Sequence, residues 1–213
     1  MARSQAARKK SERLYGKGGV FYRLPRGEGG PIEIRIDFGL VPPPPNYFYA
    51  DAVGLQLDKP LLMALLSFGR RKAQSRNLAE RIDIAMPVGA LGAFWRSTRA
   101  VETTVDQVLK QLAAEPPGAT MHLESEPLVT LFANAIHIAV SPGETSLDFY
   151  CLAPRDVHLA RTQRREISLQ PITRVLMSSV LAKTFFDILR PHAEDLGTSN
   201  VMGRRGDHAA AMR

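Results

Sequence analysis

Two stretches of this chain are near copies of one another. Tyr49-Ala50-Asp51-Ala52-Val53-Gly54-Leu55 and Phe132-Ala133-Asn134-Ala135-Ile136-His137-Ile138 share an aromatic residue, an Ala-Asx-Ala centre and an aliphatic tail. The resemblance continues downstream. Each stretch leads to a turn (Asp58-Lys59-Pro60, then Ser141-Pro142-Gly143) and to a second apolar strand. A basic loop and a third strand follow: Arg81-Ile82-Asp83-Ile84 in the first copy and Arg165-Glu166-Ile167-Ser168-Leu169 in the second. A repeat of this length is one supersecondary unit that cannot bury its apolar face alone, so the copies must pack together.

Both third strands run into a proline, Pro87 and Pro171, a residue favoured in the first turn of a helix. After Pro87, the residues Val88, Leu91, Trp95, Val101, Val105 and Leu112 form one helical stripe. Shifting by the distance between the prolines aligns Ile172, Val175, Ser179, Phe185, Leu189 and Leu196 with it. The expected fold is α+β: two repeated β-β-β-α units that pair about a pseudo-twofold axis into one antiparallel sheet, with the helices on one face. The first unit spans 31–117, including a preceding strand in which Ile32, Ile34, Ile36 and Phe38 alternate with polar residues, and a stiff connector at Pro42 to Pro45. The second spans 118–197. Residues 1–30 read as a flexible basic arm and 198–213 as a flexible tail.

The net charge of +7 is concentrated locally. Residues 1–30 carry eight basic against two acidic side chains, residues 69–81 five against one, and residues 155–165 four against one, which leaves the remainder net acidic. Such clustering creates a positive field that attracts polyanions or acidic protein faces. The candidate binding residues are Arg8, Lys9, Lys10 and Arg13 in the arm, Arg70, Arg71, Lys72 and Arg76 in the first basic loop, and Arg155, Arg161, Arg164 and Arg165 in the second. Solvated loops without a partner are an equally ordinary reading of such charge.

The second copy resembles the family known as domain of unknown function 3467. The residues that carry the likeness are Phe132 and Asn134, Ser141 and Glu144, Asp148 and Phe149, then Arg165, Leu169 and Pro171. The first copy keeps Tyr49, Arg81 and Pro87, departs at Asp51, and has Pro60-Leu61-Leu62 where the other motifs would fall. The resemblance implies a non-catalytic domain, found elsewhere as a single copy that would dimerise, mimicked here by fusion.

Catalytic equipment is not apparent. His122, His137, His158, His192 and His208 are scattered, and no Cys-x-x-Cys or His-Glu-x-x-His pattern occurs. His137 reads as a packed or surface histidine, and Cys151, in a strand-like run, as a small core residue. The glycine-rich stretches at 16–19 and 27–30 match neither phosphate-binding fingerprint. No enzyme, metal or cofactor is therefore expected. A lone cysteine, the lack of a long apolar run and a basic N-terminus with no apolar stretch after it point to the cytoplasm, without a membrane partner. The expected role is a binding or assembly subunit of a larger protein complex, with oligomers admissible. The alternative is an accessory protein whose basic loops and arm contact the phosphates of DNA or RNA.

Overall fold

The computed structural model describes residues 20–24, 32–36, 38, 41–71, 78–112, 126–141, 143–153, 155–156 and 169–192. In chain order these form β1 (Val20–Leu24), β2 (Ile32–Ile36), β3 (Tyr47–Ala50), β4 (Ala52–Asp58), β5 (Met63–Arg71), β6 (Leu78–Pro87), α1 (Val88–Ser97), α2 (Arg99–Leu112), β7 (Val129–Phe132), β8 (Ala135–Ser141), β9 (Glu144–Leu152), β10 (Leu169–Ser178) and α3 (Ser179–Leu189), followed by a 3₁₀ turn at Arg190–His192. Among the described residues the fold is α+β, with two four-stranded mixed sheets and three helices. Strands β1 and β2 make a separate antiparallel pair. Thus Val20–Leu24, within the segment expected to be an arm, forms a strand.

The first sheet has the order β4-β5-β6-β7 and the second β3-β10-β9-β8. The first holds four strands that are consecutive in the chain, whereas the second adds β3 to β8, β9 and β10. Strand β3 leaves its neighbour β4 and pairs in parallel with β10, Phe48 opposite Val175 and Tyr49 opposite Leu176. Strand β7 leaves β8 and pairs in parallel with β6, Leu131 opposite Ile84 and Phe132 opposite Ala85. The single antiparallel sheet expected from the sequence is therefore corrected to two mixed sheets, each completed by a short strand from the other part of the chain.

The breaks that allow these crossings fall on the Asx residues. Asp51 separates β3 from β4, and Asn134 separates β7 from β8. Each tethers the far end of a neighbouring strand. Arg71 N–H donates to both carboxylate oxygens of Asp51, at 2.9 and 3.0 Å. Leu152 N–H donates to Asn134 Oδ1 at 2.6 Å, and Asn134 Nδ2 donates back to the Leu152 carbonyl at 2.8 Å. Aligned side-chain groups of this kind substitute for ladder bonds that the strand end would lack. Asn134→Ala is expected to cost about 1–3 kcal/mol in urea denaturation, because it strands both polar groups of the buried Leu152 backbone.

A second correction concerns α3. Pro171 does not open a helix. It sits in β10 opposite Tyr150, at a register shift between Pro171 and Thr173. The β-branched Ile172, Thr173 and Val175 continue the strand, consistent with their stiff χ1 preference. The helix begins only at Ser179, where the Ser178 hydroxyl accepts from Leu181 N–H at 3.2 Å. Ile172 and Val175 thus belong to a strand, Ser179, Phe185 and Leu189 face the core, and Leu196 lies outside the described residues. The helix after Pro87 is likewise two helices, interrupted at Thr98, whose hydroxyl donates to the carbonyls of Phe94 and Trp95. With no side-chain cap, α1 is held at its start by Val88 N–H donating to the Leu62 carbonyl at 2.9 Å.

The core lies where the inner faces of β5 and β9 meet. Phe68 of β5 and Phe149 of β9 are both fully buried and pack edge to face, with ring centroids 5.7 Å apart. Helix α1 extends from the first sheet but packs on β8 of the second, and α3 extends from the second but packs on β4 of the first. Phe94 meets Phe185 at 6.2 Å, and Trp95 meets Phe186 at 6.4 Å. At the outer side, Lys183 of α3 reaches Asp106 of α2 at 3.0 Å and Glu102 at 3.6 Å, and Arg190 pairs with Glu102 and Asp187, tying α2 to α3.

Candidate interaction surfaces

Strand alternation puts a polar row on the outer face of the second sheet. His137 of β8 lies opposite Asp148 of β9, and Asp148 opposite Arg174 of β10. Arg174 grips the carboxylate with both arms of its fork, Nε to Oδ1 at 2.6 Å and Nη2 to Oδ2 at 2.7 Å. His137 Nδ1 stands 3.9 Å from Oδ2. Phe38, from the segment before β3, stacks on the His137 ring at 4.9 Å and leans on Tyr150 at 5.4 Å, roofing the row.

The electrostatics follow from that enclosure. Burial pushes the Asp148 carboxyl up, but the hydrogen bonds from Arg174, aided by His137, outweigh it and hold the group below the ordinary carboxylate value. Burial and the adjacent Asp148 charge push the Tyr150 phenol well above the ordinary tyrosine value. In the first sheet a looser pairing occurs within one strand, Arg81 Nε to Asp83 Oδ1 at 3.1 Å, again with the carboxylate buried. Both acids are thereby engaged by arginine, but only Asp148–Arg174 bridges two strands and so pins the register of β9 on β10; Arg81–Asp83 lies within β6. Among the described residues no group of three His, Cys, Asp or Glu side chains is placed to hold a metal ion. None of their helices is long and apolar enough to cross a membrane.

Of the basic residues singled out from the sequence, Arg70 and Arg155 are exposed and Arg71 is half-buried beside Asp51. Arg71 ends β5 and Leu152 ends β9, so the two basic connectors leave their sheets just beyond the Asp51 and Asn134 tethers. Arg8, Lys9, Lys10, Arg13, Lys72, Arg76, Arg161, Arg164 and Arg165 lie outside the described residues.

Exposed apolar side chains gather on the crossing strands. Tyr47 and Tyr49 project from β3, and Leu128, Val129 and Phe132 from β7 and its approach. Both are four-residue edge strands. The Tyr49 hydroxyl donates to Glu144 Oε2 at 2.9 Å, and this contact raises the Tyr49 phenol pKa. Sequence reasoning did not find these strands as surfaces, because Tyr49 and Phe132 read as the first residues of β4 and β8.

Comparison of the chain with models of protein families, with curated proteins and with solved structures returns no match.

Proposed function

We propose that this chain is a fused pseudo-dimer acting as a non-enzymatic assembly or adaptor subunit of a larger protein complex. The observation that carries the reading is the reciprocal exchange of β3 and β7, in which each half donates its first strand to the other's sheet. Three further features support it. The registers agree: Leu131 against Ile84 is the counterpart of Phe48 against Val175. The Asp51 and Asn134 tethers occupy the same step. Phe68 with Phe149, Phe94 with Phe185 and Trp95 with Phe186 are pairs of counterparts in mutual contact, as residues beside a twofold axis must be. The likeness of the second copy to the domain of unknown function 3467 family fits a unit that pairs with itself.

Such a body presents two related surfaces on one polypeptide, which suits bridging by avidity. Its buried Asp83 and Asp148 are engaged by internal pairing, and most of its exposed large apolar groups sit on or beside the edge strands β3 and β7, where a partner segment can add a strand. On this reading the native protein migrates in gel filtration as part of a larger particle that survives nuclease treatment. Arg70→Gln combined with Arg164→Glu and Arg165→Glu is expected to release it from that particle while leaving the thermal melt nearly unchanged; glutamine is used at 70 because Arg70 faces Glu80 across β5 and β6. Native protein that migrates alone would refute the assembly role.

A second reading, phosphate contact by a nucleic-acid accessory protein, is favoured by the exposure of Arg70 and Arg155 beside the two connectors. It requires binding to DNA or RNA that weakens steeply as salt rises. No shift of labelled strands at low salt removes it.

A further inference from the structure

The first half of the chain, β3 to α2 with Phe38 before it, carries contacts that fit the second half, β7 to α3, and do not fit a copy of itself. Tyr49 donates to Glu144 at 2.9 Å, and Phe38 stacks on His137 and leans on Tyr150. The cross-strand pairs Asp58–Met63, Gly54–Ser67 and Ala52–Gly69 match Ser141–Glu144, His137–Asp148 and Ala135–Tyr150. The counterparts of Glu144, His137 and Tyr150 are therefore Met63, Gly54 and Gly69, which offer neither a carboxylate nor a ring. Helix α2 sets Glu102 and Asp106 on Lys183 of α3, at 3.6 and 3.0 Å. By the step that matches Phe94 with Phe185, the counterpart of Lys183 on α1 is Gly92.

None of these contacts requires the two halves to belong to one polypeptide. The covalent join between them runs from the end of α2 at Leu112 to the start of β7 at Val129. Neither half completes its sheet alone, since β6 needs β7 and β10 needs β3. An unpaired strand edge is a template for whichever matching strand reaches it first. Within one chain the join supplies a local concentration on the order of millimolar, so a dilute chain closes on itself. Where chains fold crowded together, a second copy competes. It competes longest at β10, the last described strand to be made, for which β3 must wait.

We propose that this chain has a second folded form, a dimer in which two copies exchange halves. The first half of each copy docks on the second half of the other, so the contact already made within one chain is made twice between two. The second copy is the occupant because the surface it meets is the one that Phe38, Tyr49 and Asp106 already recognise. First half on first half would instead set Phe38 over Gly54 and Gly69, and α2 against Gly92. Both lobes of the exchanged dimer keep the contacts of the monomer, and reversal requires both to open, so the dimer persists once formed. It presents twice the monomer's basic connectors, which raises avidity for whatever they bind. The inference rests on the division of the chain into two halves and fails separately from the adaptor role, because a chain that never exchanges halves can still bridge a complex.

The test begins with the full chain, unfolded in urea, refolded over about a hundredfold range of concentration and sized by gel filtration. The dimer share should rise with the refolding concentration, and the isolated dimer should survive dilution for hours. Charge inversion then separates exchanged halves from whole bodies in contact. Lys183→Glu puts a fourth carboxylate among Glu102, Asp106 and Asp187, and Asp106→Lys sets a lysine against Lys183. Refolded alone, each variant has a like-charge clash in every α2–α3 contact. Refolded together, the two variants form a dimer in which one lobe has the wild-type pair and the other has it inverted. The mixed dimer should therefore exceed its statistical share relative to the two parent dimers by about tenfold. Wild-type chain that refolds only to monomer at every concentration overturns the proposal. So does a mixed dimer at its statistical share, which would mean intact bodies in contact.

Discussion

Phe149→Ala is expected to destabilise the fold by about 3–5 kcal/mol, the range for deleting a fully buried phenylalanine from a core that cannot collapse around the gap. Phe68→Ala should cost about the same, since the two rings face each other between the sheets. The informative quantity is the double variant. Each single change leaves its partner ring facing the same cavity, so the second deletion removes contacts already lost. The cost of both should fall short of the sum by roughly 0.5–3 kcal/mol, the coupling found for residues in direct contact. Urea denaturation of the four proteins completes the cycle. Strict additivity would mean that the sheets are held elsewhere, by the helices, and that the Phe68–Phe149 contact is incidental. A domain's net stability is only about 5–15 kcal/mol, so either single variant consumes a large part of it.

Arg174→Met should be the next most damaging change, at about 3 kcal/mol near neutral pH. This is the low end for breaking a buried pair, because the Arg174 side chain is 32% exposed. The loss comes from Asp148, left ionised and enclosed beneath Phe38 and against Tyr150. The pH dependence separates this cause from lost packing. In the wild-type protein the Asp148 pKa is depressed, so its contribution is fully present above the ordinary carboxylate value and disappears as pH falls through the lower folded value. In Arg174→Met, burial, the largest of the influences on this carboxyl, is opposed only by His137 and pushes that pKa up, so the penalty at neutral pH is relieved as acid protonates the group. The gap in unfolding free energy between the two proteins should therefore narrow steadily from neutral pH towards pH of about 4. A gap that is constant with pH would assign the loss to the arginine's aliphatic stem. Combining Asp148→Leu with Arg174→Met should recover most of the stability at neutral pH, since an apolar pair of similar size needs no compensation.

Much of the secondary structure was legible because the physics that writes it is local. The alternation of Ile32, Ile34 and Ile36 makes β2, and Pro87 stands at the start of α1 where an imide nitrogen loses nothing. The failures are long-range. Pro171 was read by analogy with Pro87, although a proline is also tolerated at a bulge in a strand, and the β-branched residues after it favour that outcome. Once Arg174 had been assigned to a helix, nothing could bring it opposite Asp148, so the polar row was invisible and His137 looked isolated. The crossing of β3 and β7 left only a faint local trace, an Asx residue between two alternating runs. Which strand accepts the displaced segment is decided by packing of the whole chain, which no short window contains. The basic residues were legible by composition, yet composition says nothing of where Arg70, Arg71 and Arg155 stand relative to each other.

The exchanged strands also bear on how the molecule is made. While the ribosome is still translating residues before Leu169, β3 has emerged but its acceptor β10 does not exist. Tyr47, Phe48 and Tyr49 must wait, unpaired, for most of the remaining chain to be translated. Closure of that long loop is a slow, late event. A product truncated anywhere before β10 is thus left with a sticky aromatic segment and no place to put it. Chains cut before β10 are expected to aggregate, because the topology that makes the finished protein a single interlocked body leaves β3 without its acceptor.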